Sequence, residues 1–236
     1  MAGLGYSAES GMRWEIVQFA QRTASPDDEK VLKNSESGSV RRLILHLEAK
    51  KLIERITVIS GQSKIIINVL TDLGKEVAQA MGVTLVESEW ERLMRLHGGE
   101  LQQKHAAQVC LFTSYARRRG WTTRVCPEAQ PPADPDVLIE KDGQRIYVEV
   151  EAGSGSVERR MKKWRNMRNM QGFVAICAPT AAMRQTLVAE ARSNTKKGMA
   201  TDFGWLRQND DEPQKGLWAQ KWGYKSNRKK HRRKQP

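Results

Sequence analysis

Three carboxylates in one short stretch have the type and spacing to do chemistry. In PDVLIEKDGQRIYVEVEAG, residues 135–153, Asp136 stands at the mouth of one apolar run, and Glu149 and Glu151 stand inside the next. Charges in such places are costly unless they are paired, hydrated or bound to a metal. Alternation along a strand puts Ile146, Val148 and Val150 on one face and Tyr147, Glu149 and Glu151 on the other. The two glutamates are then about 7 Å apart along the strand, a spacing at which both side chains can converge on one cation. Asp136 opens the partner strand, across a hairpin turned by KDG. Such a trio suits Mg²⁺ or Mn²⁺, which prefer oxygen ligands and would remove the repulsion between them. The opposing reading leaves both glutamates on a solvent-facing edge strand, bonded to Arg145 or to the basic helix that follows.

The elements that must position these groups follow from periodicity. ELQQKHAAQVCLFTSYARRRGW sets Leu101, His105, Gln108 or Val109, Phe112 and Ala116 on one helical stripe, with Arg117 to Arg119 complementing the helix C-terminus before Gly120. His105, on that apolar stripe, reads as a buried, hydrogen-bonded histidine. TTRVCPE, DVLIEK and RIYVEVEA are strands, VERRMKKWRNMRNM is a basic helix, GFVAICA is a buried strand, and TAAMRQTLVAEARSN is a last helix capped by Thr180. Helix, three strands, helix, strand and helix predict a mixed α/β fold, a mixed sheet flanked by helices.

The N-terminal part has a different plan. SAESGMRWEIVQFAQRTA carries a helical stripe, SPDDEKVLKNS offers Ser25 as an N-cap with Pro26 behind it, and VRRLILHLEAKKLIER predicts a third helix. RITVIS and KIIINVL flank a Gly-containing link as a hairpin, and LTDLGKEVAQAMG closes the segment as a capped helix. VTLVESEWERLMRLHGGE reads as a connecting helix, broken at Gly98 and Gly99.

Three helices, a hairpin and a helix closing on LTDLGKEVAQ resemble the winged helix-turn-helix of many bacterial regulators. That resemblance implies a third helix in the DNA major groove, with Ser37, Ser39, Arg41 and Arg42 facing DNA and Gln62 and Lys64 on the wing. Domains of this kind also serve as protein-interaction modules.

Asp136 after Pro135, then Glu149-Val150-Glu151 on the next strand, resembles the PD-(D/E)XK phosphodiesterase motif, and the αβββαβ order is similar to the restriction-endonuclease-like core of that superfamily. The resemblance covers about residues 97–200. It implies Asp136 and Glu149 as metal ligands, the Val150 carbonyl completing the sphere, and Glu100 as an added acidic helix residue. The metal would activate water and stabilise charge on the phosphate. The family's usual lysine is replaced by Glu151; the next helix offers Lys162 or Lys163 instead, among Arg159 and Arg160. The two-domain plan also resembles the replication-relaxation and mobilisation proteins of plasmids and integrative elements. The organisation expected is a winged helix over 1–83, a connecting helix over 84–98, a nuclease-like domain over 99–204 and an aromatic, basic extension over 205–236.

Charge supports a polyanionic partner. Of 40 Lys and Arg against 27 Asp and Glu in 236 residues, giving a net charge of +13, the whole excess lies after residue 96. The helix VERRMKKWRNMRNM has six basic residues against one acid, and the tail KSNRKKHRRK has seven against none. Such clusters bind nucleic acid in a salt-dependent way. DNA, duplex or branched, is the expected partner ahead of RNA; a homodimer is compatible with the sequence, and no apolar run suits a membrane span. The tail also resembles a nuclear-import signal, so the expected location is the cytoplasm at the nucleoid, or the nucleus in a eukaryote. FGWLRQNDDEPQKGLWAQKWGY could stack bases or pin the extension to the domain surface. Cys110, Cys126 and Cys177 have no ligand spacing, and their odd number suits a reducing compartment. Metal-dependent DNA hydrolysis is the leading expectation, and a DNA-binding regulator or mobilisation accessory without catalysis is the alternative.

Overall fold

The structure is a computed structural model that describes residues 40–60, 63–97, 102–129, 132–152, 155–210 and 212–224. The first two expected helices, with Ser37 and Ser39, lie outside these residues, as do Gln62, Glu100 and the basic tail.

Helix α1 (Val40–Ala49) buries Leu43 and Leu47, one turn apart, against Leu52, Ile53 and Ala78. It is shorter than the predicted helix over 40–55. Lys51 takes a left-handed φ of 57°, and the β-branched run from Ile53 is drawn into strand β1 (Ile53–Ser60), which pairs antiparallel with β2 (Ser63–Leu70). The shift of apolar register at Leu52 marks the helix end. Helix α2 (Asp72–Ala80) follows, capped by Thr71, whose hydroxyl accepts from the Gly74 N–H at 3.0 Å and donates to the Lys51 carbonyl at 2.6 Å. Gly74 must lack a side chain, because a Cβ there would lie 1.9 Å from the Leu52 carbonyl oxygen.

The expected connecting helix over 84–98 begins only at α3 (Glu89–His97). Ser88 and Glu91 explain the start: the Ser88 hydroxyl accepts from the Glu91 N–H, and the Glu91 carboxylate accepts from the Ser88 N–H.

A six-stranded sheet forms the centre, in spatial order β3 (Thr122–Val125), β4 (Val137–Lys141), β5 (Gln144–Val150), β6 (Val174–Ala178), β7 (Gly198–Asp202), β8 (Gln220–Trp222). The pairs β3–β4, β4–β5 and β7–β8 are antiparallel, and β5–β6 and β6–β7 are parallel. Helix α4 (Gln103–Arg118) covers one face through Val109, Phe112 and Ala116, packed with Val137, Ile139, Val148 and Val150. Helices α5 (Val157–Gln171) and α6 (Ala181–Asn194) cover the other through Trp164, Met167, Leu187 and Val188, packed with Val174 and Ile176. The fold is therefore mixed α/β around a mixed sheet, in the expected order from α4 to α6.

Two features depart from expectation. Val58, Ile65 and Ile67 of the hairpin share the core cluster of α3 and α4, so the hairpin is packed on the sheet domain. The chain beyond residue 204 is pinned to the domain by Trp205 and Trp218, packed against the core, and goes further by completing the sheet: helix α7 (Phe203–Gln208) runs across that boundary, and β8 pairs with β7. Trp222 is buried over Gly198, where a Cβ would lie 2.2 Å from the indole. Strand β7 escapes the pattern because GMATD has no β-branched apolar run and is bounded by Gly and Asp. No helix among the described residues is long and apolar enough to cross a membrane.

Candidate active site

Register brings the carboxylates together. Val137 pairs with Val148, so the next step along the two strands sets Asp136 level with Glu149. The Val150 N–H donates to Asp136 Oδ2 at 2.7 Å, tying the mouth of β4 to the end of β5. Asp136 Oδ1 lies 2.9 Å from His105 Nε2, on α4. Glu149 is 1% exposed, and Asp136 and Glu151 are also buried.

Helix α5 supplies the cation. Ser156 caps it, accepting from the Arg159 N–H at 3.2 Å, and the fully buried Trp164 fixes it on the sheet. Lys163 then extends its ammonium onto Glu149 and stands 3.7 Å from Glu151 Oε1. These residues line a cavity of about 240 Å³, walled also by Pro132, Arg159, Arg160 and Asn166. Asn166 donates to the Pro132 carbonyl at 2.9 Å and holds that wall in place.

The electrostatics follow from three acids facing one ammonium and one imidazole. Burial pushes the Glu149 carboxyl well above its ordinary range, and the charge of Asp136 adds to the rise beyond what Lys163 offsets. Burial likewise raises Glu151. For Asp136 burial works upward, but the His105 hydrogen bond and charge, Lys163 and the Val150 N–H outweigh it and hold the carboxyl below its ordinary value. Burial would lower His105, yet its bond to Asp136 carries it upward. Lys163 also goes up, the three carboxylates outweighing burial.

Of the two lysines expected as substitutes for the motif lysine, Lys163 enters the cavity, whereas Lys162 is exposed outside it. Arg160 lines the cavity but is held by the Glu190 carboxylate at 2.9 and 2.8 Å and by the Gly155 carbonyl at 2.8 Å. Arg159 is exposed at the cavity rim. The Val150 N–H donates to Asp136, and the Val150 side chain is buried in the core. Of the opposing reading, the solvent-facing edge strand and the bond to Arg145 are not found, because β5 is an interior strand and Arg145 pairs with Glu140 at 2.7 Å, but the bond to the basic helix is, through Lys163. Arg41 and Arg42 fall in the first turn of α1, and Lys64 is exposed near the hairpin turn. The sequence marks His105 as a hydrogen-bonded group, but its partner is 31 residues away, and no local signal links the two.

The donor atoms at the cavity are of the kind that a hard divalent cation takes. They are buried carboxylate oxygens in excess of nearby positive charge, and the Lys163 ammonium is a built-in cation standing among them. No three His, Cys, Asp or Glu side chains among the described residues are gathered as a ligand set. Comparison of the chain with protein-family models, with curated proteins and with solved structures finds no match.

Proposed function

We propose that the chain is a DNA-binding protein that hydrolyses a phosphodiester bond at this cavity with Mg²⁺ or Mn²⁺, built as a winged helix-turn-helix joined to a PD-(D/E)XK-type nuclease domain. The carrying observation is that Asp136, Glu149, Glu151 and Lys163 meet in one polar cavity beside a helix rich in arginine. Asp136 and Glu149 would hold the ion, with Glu151 beside them. The bound ion would supply an activated water and neutralise charge developing on the phosphate.

The chain's own residues do the positioning. His105 and the Val150 amide fix the Asp136 carboxylate from two sides. Arg159 offers a cation to the phosphate backbone at the rim, and Lys163 is the lysine that stands beside the carboxylates where the motif lacks its own. On this reading the protein works on DNA in the cytoplasm, at the nucleoid, in a mobile-element or DNA-processing context.

A second reading, a DNA-binding regulator without catalysis, is favoured by one observation: Lys163 already meets Glu149. Incubation with duplex, forked and junction DNA separates the two. The enzyme reading expects cleavage that needs Mg²⁺ or Mn²⁺, lost by at least about 10²-fold in Asp136→Ala while DNA binding persists. Metal-independent binding with no cleavage of any substrate supports the regulator, and tighter binding to RNA than to DNA at equal salt contradicts both.

A further inference from the structure

Lys163 cannot be withdrawn by moving its helix, because Trp164 and Met167 lock α5 into the core. Its side chain can move: a lysine has a flexible four-carbon stem, and this one is 34% exposed towards the cavity, whereas Glu149 is 1% exposed and enclosed. The ammonium therefore covers the carboxylate that a divalent ion would need. A divalent ion at the Glu149 oxygen that Lys163 contacts would stand against the ammonium at close range, and two cations so near each other repel strongly in a poorly hydrated site.

Charge sets what happens next. The three buried acids outnumber the one ammonium and one imidazole that face them, so a divalent ion can be added to the cluster if the lysine gives up direct contact with Glu149. The stem can then carry the ammonium towards the rim, where Arg159 lies four residues earlier on the same helical face.

Resting on the proposed metal-dependent reading, we infer that Lys163 is the resident cation of the metal-free site, that a divalent ion competes with it for Glu149, and that metal entry turns Lys163 outwards to join Arg159 as a phosphate-binding pair. Metal would thus load before the nucleic-acid backbone, and the site would attract phosphate fully only once loaded.

Calorimetric titration with Mn²⁺ tests this on the full chain. Lys163→Met should bind Mn²⁺ at least about tenfold more tightly than the unaltered protein, because removing one partner leaves buried carboxylates seeking another cation. Adding Glu149→Gln to that variant should abolish the gain. Reductive methylation of Lys163 in the unaltered protein, followed by peptide mass spectrometry, should speed up when Mn²⁺ is added, and this decides the matter even if the variant fails to fold. Equal or weaker Mn²⁺ binding by a folded Lys163→Met, or methylation that Mn²⁺ leaves unchanged, overturns the inference. If Mn²⁺-dependent cleavage is nevertheless observed, only the competition is lost; if neither protein binds Mn²⁺, the metal reading falls with it.

Discussion

Asp136 and Glu149 are neighbours across two strands, yet their surroundings push them in opposite directions. Asp136 has an imidazole and an amide as partners and stays ionised readily, whereas burial and the charge of Asp136 make Glu149 hold its proton. A folded-state pKa above the unfolded value means that the folded chain binds the proton more tightly. The stabilisation is then complete below the ordinary value of 4.5 and is lost as pH rises through the folded-state value. Glu151 acts in the same sense, and His105 adds a further loss above 6.5. The opposite contribution of Asp136 is confined below 3.8. The metal-free protein should therefore lose stability as pH rises above about 4.5, with a further loss above 6.5, by up to about 1.4 kcal/mol per pH unit for each proton concerned. Glu149→Gln should flatten that slope in thermal melts; equal slopes in the two proteins would contradict the assignment. The acids were legible in the sequence because carboxylates inside β-branched runs are out of place. The choice of Lys163 over Lys162 was not, since it depends on the rotation of α5 about its axis, and the partner of His105 depends on a contact between α4 and the mouth of β4.

Elements were legible where apolar periodicity or a β-branched run marks them. Helices α4, α5 and α6 and strands β4, β5 and β6 follow the periodicity, and Thr180 caps α6 as its position predicts, accepting from the Met183 N–H at 3.2 Å. Strands β7 and β8 were not legible: GMATD and QKW lack the apolar, β-branched run that marks β4 and β6, and pairing with a neighbour, not local propensity, makes them strands. The end of α1 was also misplaced, because Leu52 and Ile53 suit a helix stripe and a strand start equally well. The glycine of LTDLG owes its place to a close approach that the sequence does not announce. Gly74→Ala, with a Cβ 1.9 Å from the Leu52 carbonyl oxygen, should lower stability by roughly 2 kcal/mol or more in denaturant titration. A change within about 0.5 kcal/mol would show that α2 packs differently on the chain before β1.

At the scale of the whole molecule, charge and packing act together. The balanced N-terminal part carries a hairpin that shares the core of the sheet domain, and the excess of positive charge belongs to the part that holds the cavity. DNA affinity should fall linearly with the logarithm of salt concentration, and Arg159→Ala should make that slope shallower by about one. An unchanged slope would remove Arg159 from the interface. The charge asymmetry was legible from composition, but which cations face the cavity was not: Arg160 is spent on Glu190 and Arg159 is not. The claim on which the functional account rests is that buried acids on adjoining strands take up a divalent ion. Anomalous scattering from a crystal soaked in Mn²⁺ tests it most directly. The account predicts one strong peak about 2.1 Å from carboxylate oxygens of Asp136 and Glu149, with the Lys163 ammonium withdrawn from Glu149. A cavity without a peak, and Lys163 still in contact with Glu149 at saturating Mn²⁺, would contradict it.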